Sequence, residues 1–480
     1  MNIKATFLVF LLLVAMHPVH AANSGKTTNS LYSSCYDNLP VALARPAAPD
    51  IPERRLSIAD FGANGDGVSL NTEVFAAAIN RLHALGGGHL NVPAGIYLTG
   101  PIRLLSNIDL HLDDNATILF SPDKSLYLAD DPDGRLRGRC QSLLTVDSAH
   151  DVAITGGGIV DGNGKYWRPV KHGKMSDTEW NRFLAMGGEV TDDGSLWYPF
   201  HLKGQQEVFP SREKVASRRN DLLRILDSKR ILLQGVTFQN SPRFHVHPYF
   251  SQDIIIDGIT VRSPWNAQNS DGIDLTNVQR ALIVNTTVNV GDDGLCMKGG
   301  VGSEGVGHGP VKDILIDNCR VYHAHGGFVI GSDCSGGMEN IVVRHCTFSG
   351  TDVGLRFKSG EGRGGLTHNV FLDSIYMSDI TQQAIIFENT YVDRSVQQSA
   401  KKQSANGYLP DFTDVHFSNV FCREANTGLL LRGIPSAYIH GLSFCNVVIS
   451  EASTPFSFTC ARDISFDNVV INGNKIGSLP

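Results

Sequence analysis

The segment RALIVNTTV, residues 280–288, decides the fold, because close variants of it recur along the chain. Each variant has an apolar run, a small or polar residue near its centre, and a second short apolar run. Two precede it, RILLQGVTF at 230–238 and DIIIDGITV at 253–261, and two follow it, DILIDNCRV at 313–321 and NIVVRHCTF at 340–348. The units are rich in β-branched residues and bounded by Gly, Asn or Asp, which is typical of short strands.

Four further units extend the repeat towards the C-terminus, NVFLDSIYM at 369–377, DVHFSNVFC at 414–422, GLSFCNVVI at 441–449 and DISFDNVVI at 463–471. Most steps between units are 22 to 33 residues. The central position reads, in order, Gly235, Gly258, Asn285, Asn318, His345, Ser374, Asn419, Asn446 and Asn468. Asn is expected there, because it tolerates the left-handed backbone conformation and can form ladders between stacked coils.

The repeat predicts the fold class. No amphipathic helical stretch separates the units, so a regular alternation of strands and helices is excluded. A unit this short cannot bury its own apolar side, but stacked units can. We therefore predict an all-β protein, a right-handed parallel β-helix in which each coil adds strands to long parallel sheets. Cys319 and Cys346 share one repeat position and are expected to stack as buried thiols rather than to form a disulfide.

The N-terminal part is predicted to join this solenoid. A helix is expected to begin near Asn71 or Thr72, and to cap the exposed end of the core with apolar residues at helical spacing. Residues 165–222 carry no repeat, which is unusual for a connection inside a compact fold. They contain Trp167, Trp180 and Trp197. This aromatic content predicts an ordered insertion.

The first 22 residues predict export. A lysine precedes an apolar run, and small residues at Ala21 and Ala22 mark the expected cleavage site of a signal peptide, residues 1–22. The protein is therefore expected to be secreted or periplasmic. The predicted organisation continues with an N-terminal extension at 23–55 and a β-helix domain at 56–480.

Composition excludes several other classes. The chain has 480 residues, of which 42% are hydrophobic and 19% charged, so it can bury a core. A net charge of −7 gives no general attraction to nucleic acid. No later segment is long enough to span a bilayer. The nine cysteines include no CxxC pair and no zinc-ligand spacing, so no metal site of that type is expected. We expect a monomer.

Carboxylates are crowded into two neighbouring repeats, NSDGIDLTN at 269–277 and VGDDGLCMKGG at 290–300. Asp271 and Asp292 are 21 residues apart, close to one coil, so they are expected to lie side by side on strands about 4.8 Å apart. Asp292 and Asp293 are consecutive and would face opposite sides of a straight strand. The glycines that flank this pair predict a bulge or a strand end, which would turn both outward.

The next coils add an imidazole and two cations. His325 follows one coil later, in YHAHGGFVIGSD. Arg356 and Lys358 follow one coil after that, two residues apart and so on one face of a strand. The cations suit a substrate that carries carboxylates. Three crowded carboxylates suit glycoside hydrolysis by inversion, because like charges push their pKa values apart and one carboxyl can remain protonated.

Simpler interpretations stay open for several of these residues. Asp274 is best interpreted as a turn residue. The carboxylates could instead bind calcium. His245 and His247 have the spacing of one strand face but no third ligand, so we expect no metal there, and His247 could line a cleft.

Four ordered segments give the chain a resemblance to the polygalacturonase family, glycoside hydrolase family 28. The family's Asn-Thr-Asp, Asp-Asp, Gly-His-Gly and Arg-Ile-Lys segments correspond to NSD at 269–271, GDD at 291–293, AHG at 324–326 and RFK at 356–358. The match extends from about residue 56 to the C-terminus. The resemblance implies that Asp292 is the general acid, that Asp271 and Asp293 hold the attacking water, and that His325 tunes the acid.

The resemblance also implies the substrate contacts. Arg356 and Lys358 would bind a galacturonate carboxylate, and Tyr391 fits a tyrosine that normally follows the last segment by about one coil. We add Asn269 of the first segment and His247 as candidate substrate-binding residues. No metal and no organic cofactor is implied.

The function expected from this resemblance is hydrolysis of α-1,4-galacturonosyl linkages in pectin or polygalacturonate, by an inverting mechanism. GLRFKSGEGRGG, which contains the last segment, is similar to exo-acting bacterial members. Three loops, at 165–222, 299–310 and 393–411, are expected to close one end of the cleft, and Lys401 and Lys402 to meet further carboxylates. The alternatives are a rhamnogalacturonan-specific hydrolase, a calcium-dependent pectate lyase, and a sugar-binding solenoid without activity.

Overall fold

A computed structural model describes residues 31–392 and 407–478. The chain divides into two compact units, Met1–Asp37 and Asn38–Pro480. The described part of the first unit contains a 3₁₀ turn at Ser33–Tyr36. The expected signal peptide, as well as Lys401 and Lys402, lies outside the described residues, and the proposed division at residues 23–55 and 56–480 stays a prediction.

The second unit is a right-handed parallel β-helix, as predicted, and 33 strands of the described chain belong to it. Its turns separate three faces. Sheet 1 consists of Ile102–Leu104, Leu144–Asp147, Leu223–Leu226, Val246–Tyr249, Ile273–Thr276, Leu295–Lys298, Gly326–Gly331, Val353–Lys358, Ile380–Glu388 and the later halves of Val415–Arg432 and Leu442–Thr459. Successive strands are parallel and in register, so outward side chains form rows along the solenoid.

Sheets 2 and 3 complete each coil. Sheet 2 consists of Arg55–Ser57, Gly88–Val92, Ile108–Leu112, His150–Gly156, Lys229–Gln234, Gln252–Asp257, Gln279–Val284, Val311–Asp317, Met338–Arg344, Leu366–Ser378, the earlier halves of Val415–Arg432 and Leu442–Thr459, and Ile464–Ile471. Sheet 3 consists of Asp66–Leu70, Gly95–Thr99, Ala116–Phe120, Ile159–Asp161, Thr237–Gln239, Thr260–Arg262, Thr287–Asn289, Arg320–Tyr322 and Thr347–Ser349, and the end of the long strand Leu366–Ser378 continues it. Asp411–Phe412 pairs with Leu366–Ser378, and Asn474–Ile476 closes an antiparallel hairpin with Ile464–Ile471.

The central position of every repeat has a left-handed backbone. The nine residues have φ between 52° and 79°: Gly235, Gly258, Asn285, Asn318, His345, Ser374, Asn419, Asn446 and Asn468. This is the conformation that Gly and Asn adopt at least cost. The expected ladder is also present, since the Asn318 side chain donates to Asn285 at 2.9 Å and that of Asn468 to Asn446 at 2.8 Å.

The helix Thr72–Ala84 closes the N-terminal end of the core, as expected. It buries Phe75, Ala78, Ile79 and Leu82, which follow helical spacing and pack on the first strands. Inside the solenoid, equivalent side chains stack from coil to coil, as with the rings of Phe417 and Phe444 at 4.6 Å. Cys319 and Cys346 are buried free thiols.

The insertion at 165–222 is ordered, as its tryptophans predict. Helices Asp177–Ala185 and Arg212–Arg218 and a small antiparallel sheet of Val170–Lys171, Leu196–Tyr198 and Glu189–Val190 form it. Val170, Trp180 and Trp197 make a separate apolar cluster, and Trp167 is buried in the main core.

The remaining helical elements lie in loops. They are the helix Gly302–His308 and the 3₁₀ turns Ile58–Phe61, Lys124–Tyr127, Gly164–Tyr166, His172–Lys174 and Leu202–Gln205. Within the described chain, no helix combines the length and the apolar composition needed to cross a membrane.

Candidate active site

The three aspartates predicted to act together meet at one edge of sheet 1. One carboxylate oxygen from each of Asp271, Asp292 and Asp293 lies within 4.8 Å of the other two. The strand after the pair begins at Leu295, so Asp292 and Asp293 precede it in a turn and need not alternate. Asp271 and Asp293 are buried, at 4% and 2% exposed, whereas Asp292 is partly exposed. Asp292 is therefore the member of the cluster that a substrate can reach.

Asp293 is held by the two predicted cations. The Lys358 ammonium donates to its Oδ2 at 2.6 Å, and the Arg356 guanidinium contacts its Oδ1 at 3.5 Å. Burial alone would raise the pKa of Asp293, but attraction to Lys358 and then Arg356 outweighs it and lowers the pKa. Asp293 is ionised at neutral pH, and much of the positive charge of both cations is directed at it.

Asp271 lies over a buried lysine that sequence reasoning did not single out. Lys298 Nζ is 3.6 Å from Asp271 Oδ2 and 3.5 Å from Asp274 Oδ2, and it donates to Cys296 Sγ at 3.0 Å. Burial raises the pKa of Asp271 well above its usual value, and repulsion from Asp274 and Asp292 raises it further. Asp271 is thus the buried carboxyl of the cluster that holds a proton most readily.

The interpretation of Asp274 as a turn residue is wrong. It lies in the strand Ile273–Thr276, is 0% exposed, and faces Lys298. Neither of its oxygens has a hydrogen bond within the described chain. The signal was the parallel register, which places Asp274 opposite Cys296 and Thr276 opposite Lys298.

Asp292 receives two backbone hydrogen bonds. The amide of Asn269 donates to its Oδ2 at 3.2 Å and that of Asp293 to its Oδ1 at 3.1 Å. Asn269 contacts the cluster through its backbone, and its side-chain oxygen accepts from the buried Arg219 at 3.1 Å. The first segment therefore fixes the orientation of the Asp292 carboxyl.

His325 lies beside the cluster with one ring nitrogen occupied. Its backbone amide donates to the Asp292 carbonyl at 2.9 Å, and its Nδ1 contacts Asp352 Oδ2 at 2.7 Å. Asp352 in turn accepts from Thr381 at 3.0 Å. Because a carboxylate only accepts, Nδ1 carries the proton in this contact, and Nε2 makes no hydrogen bond within the described chain. A tuning role for His325 fits this arrangement and stays a prediction.

Tyr391 lies over the cation pair, as predicted for a residue of the same site. Its ring centroid is 5.2 Å from Lys358 Nζ and 5.8 Å from the Arg356 guanidinium carbon. These distances are within the range of cation–π attraction.

His247 is on the same face of sheet 1 but has both ring nitrogens engaged. Nδ1 lies 2.8 Å from Asp221 Oδ2 and Nε2 lies 3.0 Å from Thr276 Oγ1. The side chain is 8% exposed. His247 thus positions neighbouring groups, and its contact with substrate stays a prediction.

One of the predicted loops reaches the cluster, and a second is joined through Arg137 to Tyr249, at the end of the strand that carries His247. Lys174 of the insertion donates to the carbonyl of Gly291, next to the aspartate pair, at 3.2 Å. Glu304, in the helix Gly302–His308, pairs at 2.5 Å with Arg137, which also contacts the Tyr249 hydroxyl. Arg137 comes from a loop before the insertion that sequence reasoning did not assign to the site. Its partners could be found only from the fold.

A solenoid whose outer face collects carboxyl groups, a histidine and cations has the groups that glycoside hydrolysis requires. The comparisons agree. The family model of Glycosyl hydrolases family 28 matches residues 175–462, more than half of the chain, and the chain belongs to this family. It is a glycoside hydrolase acting on O-glycosyl bonds.

Its relatives carry polygalacturonase names. The chain is 28% identical to a probable polygalacturonase of Vitis vinifera over 85% of this chain and 78% of that protein. It is 26% identical to an exo-poly-alpha-D-galacturonosidase of Dickeya chrysanthemi over 92% of this chain and 74% of that protein. A crystal structure of a hyperthermoactive exopolygalacturonase from Thermotoga maritima matches with a TM-score of 0.74 and 27% identity, covering 94% of this chain and 97% of that one.

Proposed function

We propose that the enzyme hydrolyses α-1,4-galacturonosyl linkages of pectic material, acting from a chain end and with inversion. The observation that carries the proposal is the convergence of Asp271, Asp292 and Asp293 within 4.8 Å, beside Arg356 and Lys358. The relatives named polygalacturonase and exo-poly-alpha-D-galacturonosidase support the substrate.

Asp292 is assigned as the general acid because it is the exposed member of the cluster. A general acid must lie within hydrogen-bond reach of the leaving oxygen. Asp271 and Asp292 repel each other, so the cluster retains a proton, and Asp292 delivers it to the leaving sugar. Asp271, which has passed its proton to Asp292, and Asp293 then orient the water, and Asp271 takes up the proton that the water loses as its oxygen bonds to the anomeric carbon.

The distance between the carboxyl groups of the cluster bears on whether the reaction inverts or retains the anomeric configuration. Carboxyl groups stand about 6.5–9.5 Å apart in most inverting enzymes and about 5–5.5 Å apart in retaining ones. The nearest oxygens here lie within 4.8 Å, which by itself would favour retention. We infer inversion because Asp293 is 2% exposed and bound by two cations, so it is poorly placed to attack a sugar carbon and well placed to hold water.

A calcium-dependent lyase is the second candidate that a specific observation favours, since three carboxylate oxygens this close are also potential ligands of a hard cation. The surrounding charge argues against it. Lys358 and Lys298 lie 2.6 Å and 3.6 Å from Asp293 and Asp271, so a bound cation would meet two ammonium groups. A chelator should leave activity unchanged, and the products should contain no unsaturated sugar.

Action from a chain end is supported by the loops. Arg137 and Glu304 join two loops beside the strands that precede the cluster, and Lys174 approaches the opposite ends of the strands. We infer that these loops close the cleft on its N-terminal side. The viscosity of polygalacturonate should fall slowly relative to the release of reducing ends, with mono- or digalacturonate as the first product. A rapid fall in viscosity with mixed oligomers would indicate an endo-enzyme.

Product analysis on two polymers separates the substrate classes. Hydrolysis of polygalacturonate but not of rhamnogalacturonan is the expected result, and the reverse preference would favour the rhamnogalacturonan-specific alternative.

We further infer that the enzyme is exported and meets these polymers outside the cytoplasm. N-terminal sequencing of the mature protein from the culture fluid or periplasm should begin near residue 22 or 23; an intact Met1 would contradict export.

A further inference from the structure

A second group of cations lies on and beside sheet 1, before the aspartate cluster. Arg224 and His247 are opposite each other on adjacent strands of sheet 1, and the strand of Asp274 comes next. At about 4.8 Å per strand, Arg224 lies roughly 10 Å before the level of Asp274 along the solenoid. Arg243 precedes the strand of His247 and is closer to the cluster.

Arg224 is a buried cation without a close counter-ion. It is 6% exposed, and within the described chain its side chain makes no hydrogen bond or ion pair. Its guanidinium carbon lies 5.6 Å from the ring centroid of Tyr249. Burial lowers the pKa of Arg224, and attraction to Asp221 offsets only part of this. Buried charges are normally paired, so an unpaired one marks a place where an anion is missing.

The surroundings of Arg224 are positive as well. Asp221 is the carboxylate at the centre of the group, and it is bound by Arg243 at 3.0 Å and by His247 at 2.8 Å. Arg139 and Arg219 lie close enough that each has its pKa lowered to about 9, first by burial and then by the Arg243 guanidinium. Both donate to backbone carbonyls rather than to acids in this group. Arg139, Arg224 and Arg243 therefore share one carboxylate, Asp221, whereas Arg219 is attracted to Asp292 of the cluster.

Phe244 connects this group to the reacting cluster. Its ring centroid lies 3.6 Å from the Arg243 guanidinium carbon and 5.5 Å from Lys298 Nζ, and Lys298 contacts Asp271. The Phe244 ring therefore contacts both Arg243 and Lys298, the lysine that supports the cluster. A chain that places a sugar ring at Asp292 would place a neighbouring unit of the same chain over this group.

We propose that Arg224 and Arg243 form a second carboxylate-binding site, which takes the carboxylate of a uronic acid unit next to the one being cleaved, on the N-terminal side of the cluster. This inference rests on the proposed function, because it assumes a polyuronate in the cleft. The site would make the enzyme require charge on two sugar units. The arginine fork suits a carboxylate in two parallel hydrogen bonds.

The test measures binding without turnover, in a full chain that carries Asp292→Asn. Isothermal titration with trigalacturonate should show that adding Arg224→Gln weakens binding roughly tenfold or more, as expected for a lost charge-assisted contact. The fully methyl-esterified trisaccharide should bind both proteins equally. Arg320→Gln, an exposed arginine on sheet 3, is the matched control and should change neither affinity.

Three outcomes would overturn the inference. If trigalacturonate binds with equal affinity with and without Arg224→Gln, the second carboxylate-binding site is contradicted, while the proposed function is unaffected. If Arg224→Gln weakens binding of the methyl-esterified trisaccharide as much as binding of trigalacturonate, the effect does not depend on the substrate's charge. Tighter binding of inorganic phosphate than of trigalacturonate identifies an unselective anion site. If trigalacturonate binds to no variant and the wild-type enzyme releases no galacturonate, the proposed function fails and this inference with it.

Thermal unfolding separates binding from structural support. Because Arg224 is buried and unpaired, Arg224→Gln should unfold at the same temperature as the parent or a higher one. A clear fall in Tm would mean that Arg224 supports the fold, which overturns the assignment. Arg243→Gln, at a side chain that is 19% exposed, provides a second variant and should lose affinity in the same charge-dependent way.

Discussion

Two groups of basic side chains lie on or beside sheet 1, on opposite sides of the aspartate cluster, and they differ in their partners. After the cluster, Lys358 and Arg356 contact Asp293 at 2.6 Å and 3.5 Å. Before it, the side chain of Arg224 has no hydrogen bond or ion pair within the described ranges, whereas Arg243 pairs with Asp221 at 3.0 Å. The first group keeps an aspartate ionised, and Arg224 of the second is the cation that we propose binds a ligand. The same residue type on the same face thus takes different roles, because its nearest carboxylate differs.

The largest expected effect on activity comes from removing the proton donor of the aspartate cluster, which lies between the two basic groups. Asp292→Asn should lower kcat on polygalacturonate by about 10²- to 10⁴-fold, because an amide cannot donate the proton that the leaving oxygen needs. Circular dichroism should show an unchanged fold. Asp192→Asn, at a fully exposed aspartate of the insertion, is the control and should retain full activity. Activity of Asp292→Asn within a few-fold of wild type would remove Asp292 from this role.

Lys298→Met is expected to damage the buried support of the cluster. It would leave Asp271 and Asp274 buried without their cation, and breaking a buried ion pair costs about 3–5 kcal/mol. Burial already raises the pKa of both carboxyls in the folded protein, and losing Lys298 raises it further. Both groups would then hold protons in the folded state that the unfolded state releases above about pH 4.

The stability of Lys298→Met should therefore be greatest below about pH 4 and fall as pH rises towards neutrality. Urea unfolding of wild type and variant across this range measures the difference. Lys312→Met, at an exposed lysine paired with Glu339, is the control and should follow wild type. A destabilisation that is the same at every pH would show that packing, not charge, is lost.

Lys358→Met should act on Asp293 as well as on substrate. Without Lys358, burial is opposed by less positive charge, and the pKa of Asp293 rises. If ionised Asp293 is required, the acidic limb of the kcat/KM profile moves to higher pH and the alkaline limb stays. We expect a loss of about 10- to 100-fold near the wild-type optimum, the scale of a charged hydrogen bond.

The same variant tests substrate charge. The KM for galacturonides should rise, because a substrate carboxylate would enter a less positive site. An unshifted acidic limb would separate Lys358 from Asp293 in function and break the distinction between the two basic groups. An equal loss on neutral galactosides would contradict a carboxylate-binding role.

The smallest effect is expected from the loop contact. Arg137→Ala removes a pair whose side chains are 41% and 49% exposed, and exposed pairs are worth about 0–1 kcal/mol. Turnover should change by less than a few-fold, whereas the early products should include longer oligomers as the cleft opens. Glu304→Ala should give the same product shift. Unchanged product lengths in both variants would contradict the role of this contact in closing the cleft.

The fold could be predicted because its signal is local and repeated. Each coil needs one left-handed residue, and the alignment at Asn285, Asn318 and Asn468 marks it without any knowledge of contacts. The three aspartates and Lys358 could be predicted for a similar reason. They lie in short segments whose spacing matches one coil, and parallel register turns that spacing into proximity.

The second basic group could not be predicted from spacing. Arg139 and Arg243 lie outside the strands of sheet 1, so no fixed step along the chain brings them to Asp221. Asp274 was misjudged because its role depends on Lys298 in the next coil, 24 residues later, and a single carboxylate near a glycine also resembles a turn. Both cases depend on which charges meet in a buried space, which sequence spacing does not encode.

The most direct test of the account is the anomer released first from trigalacturonate, followed by proton NMR in the first minutes of reaction. With Asp292 as the acid and the attacking water held between Asp271 and Asp293, the new reducing end should appear as the β-anomer and then equilibrate. An initial α-anomer would show that one aspartate attacks the sugar, as the close spacing alone would suggest, and an unsaturated product would show elimination instead of hydrolysis.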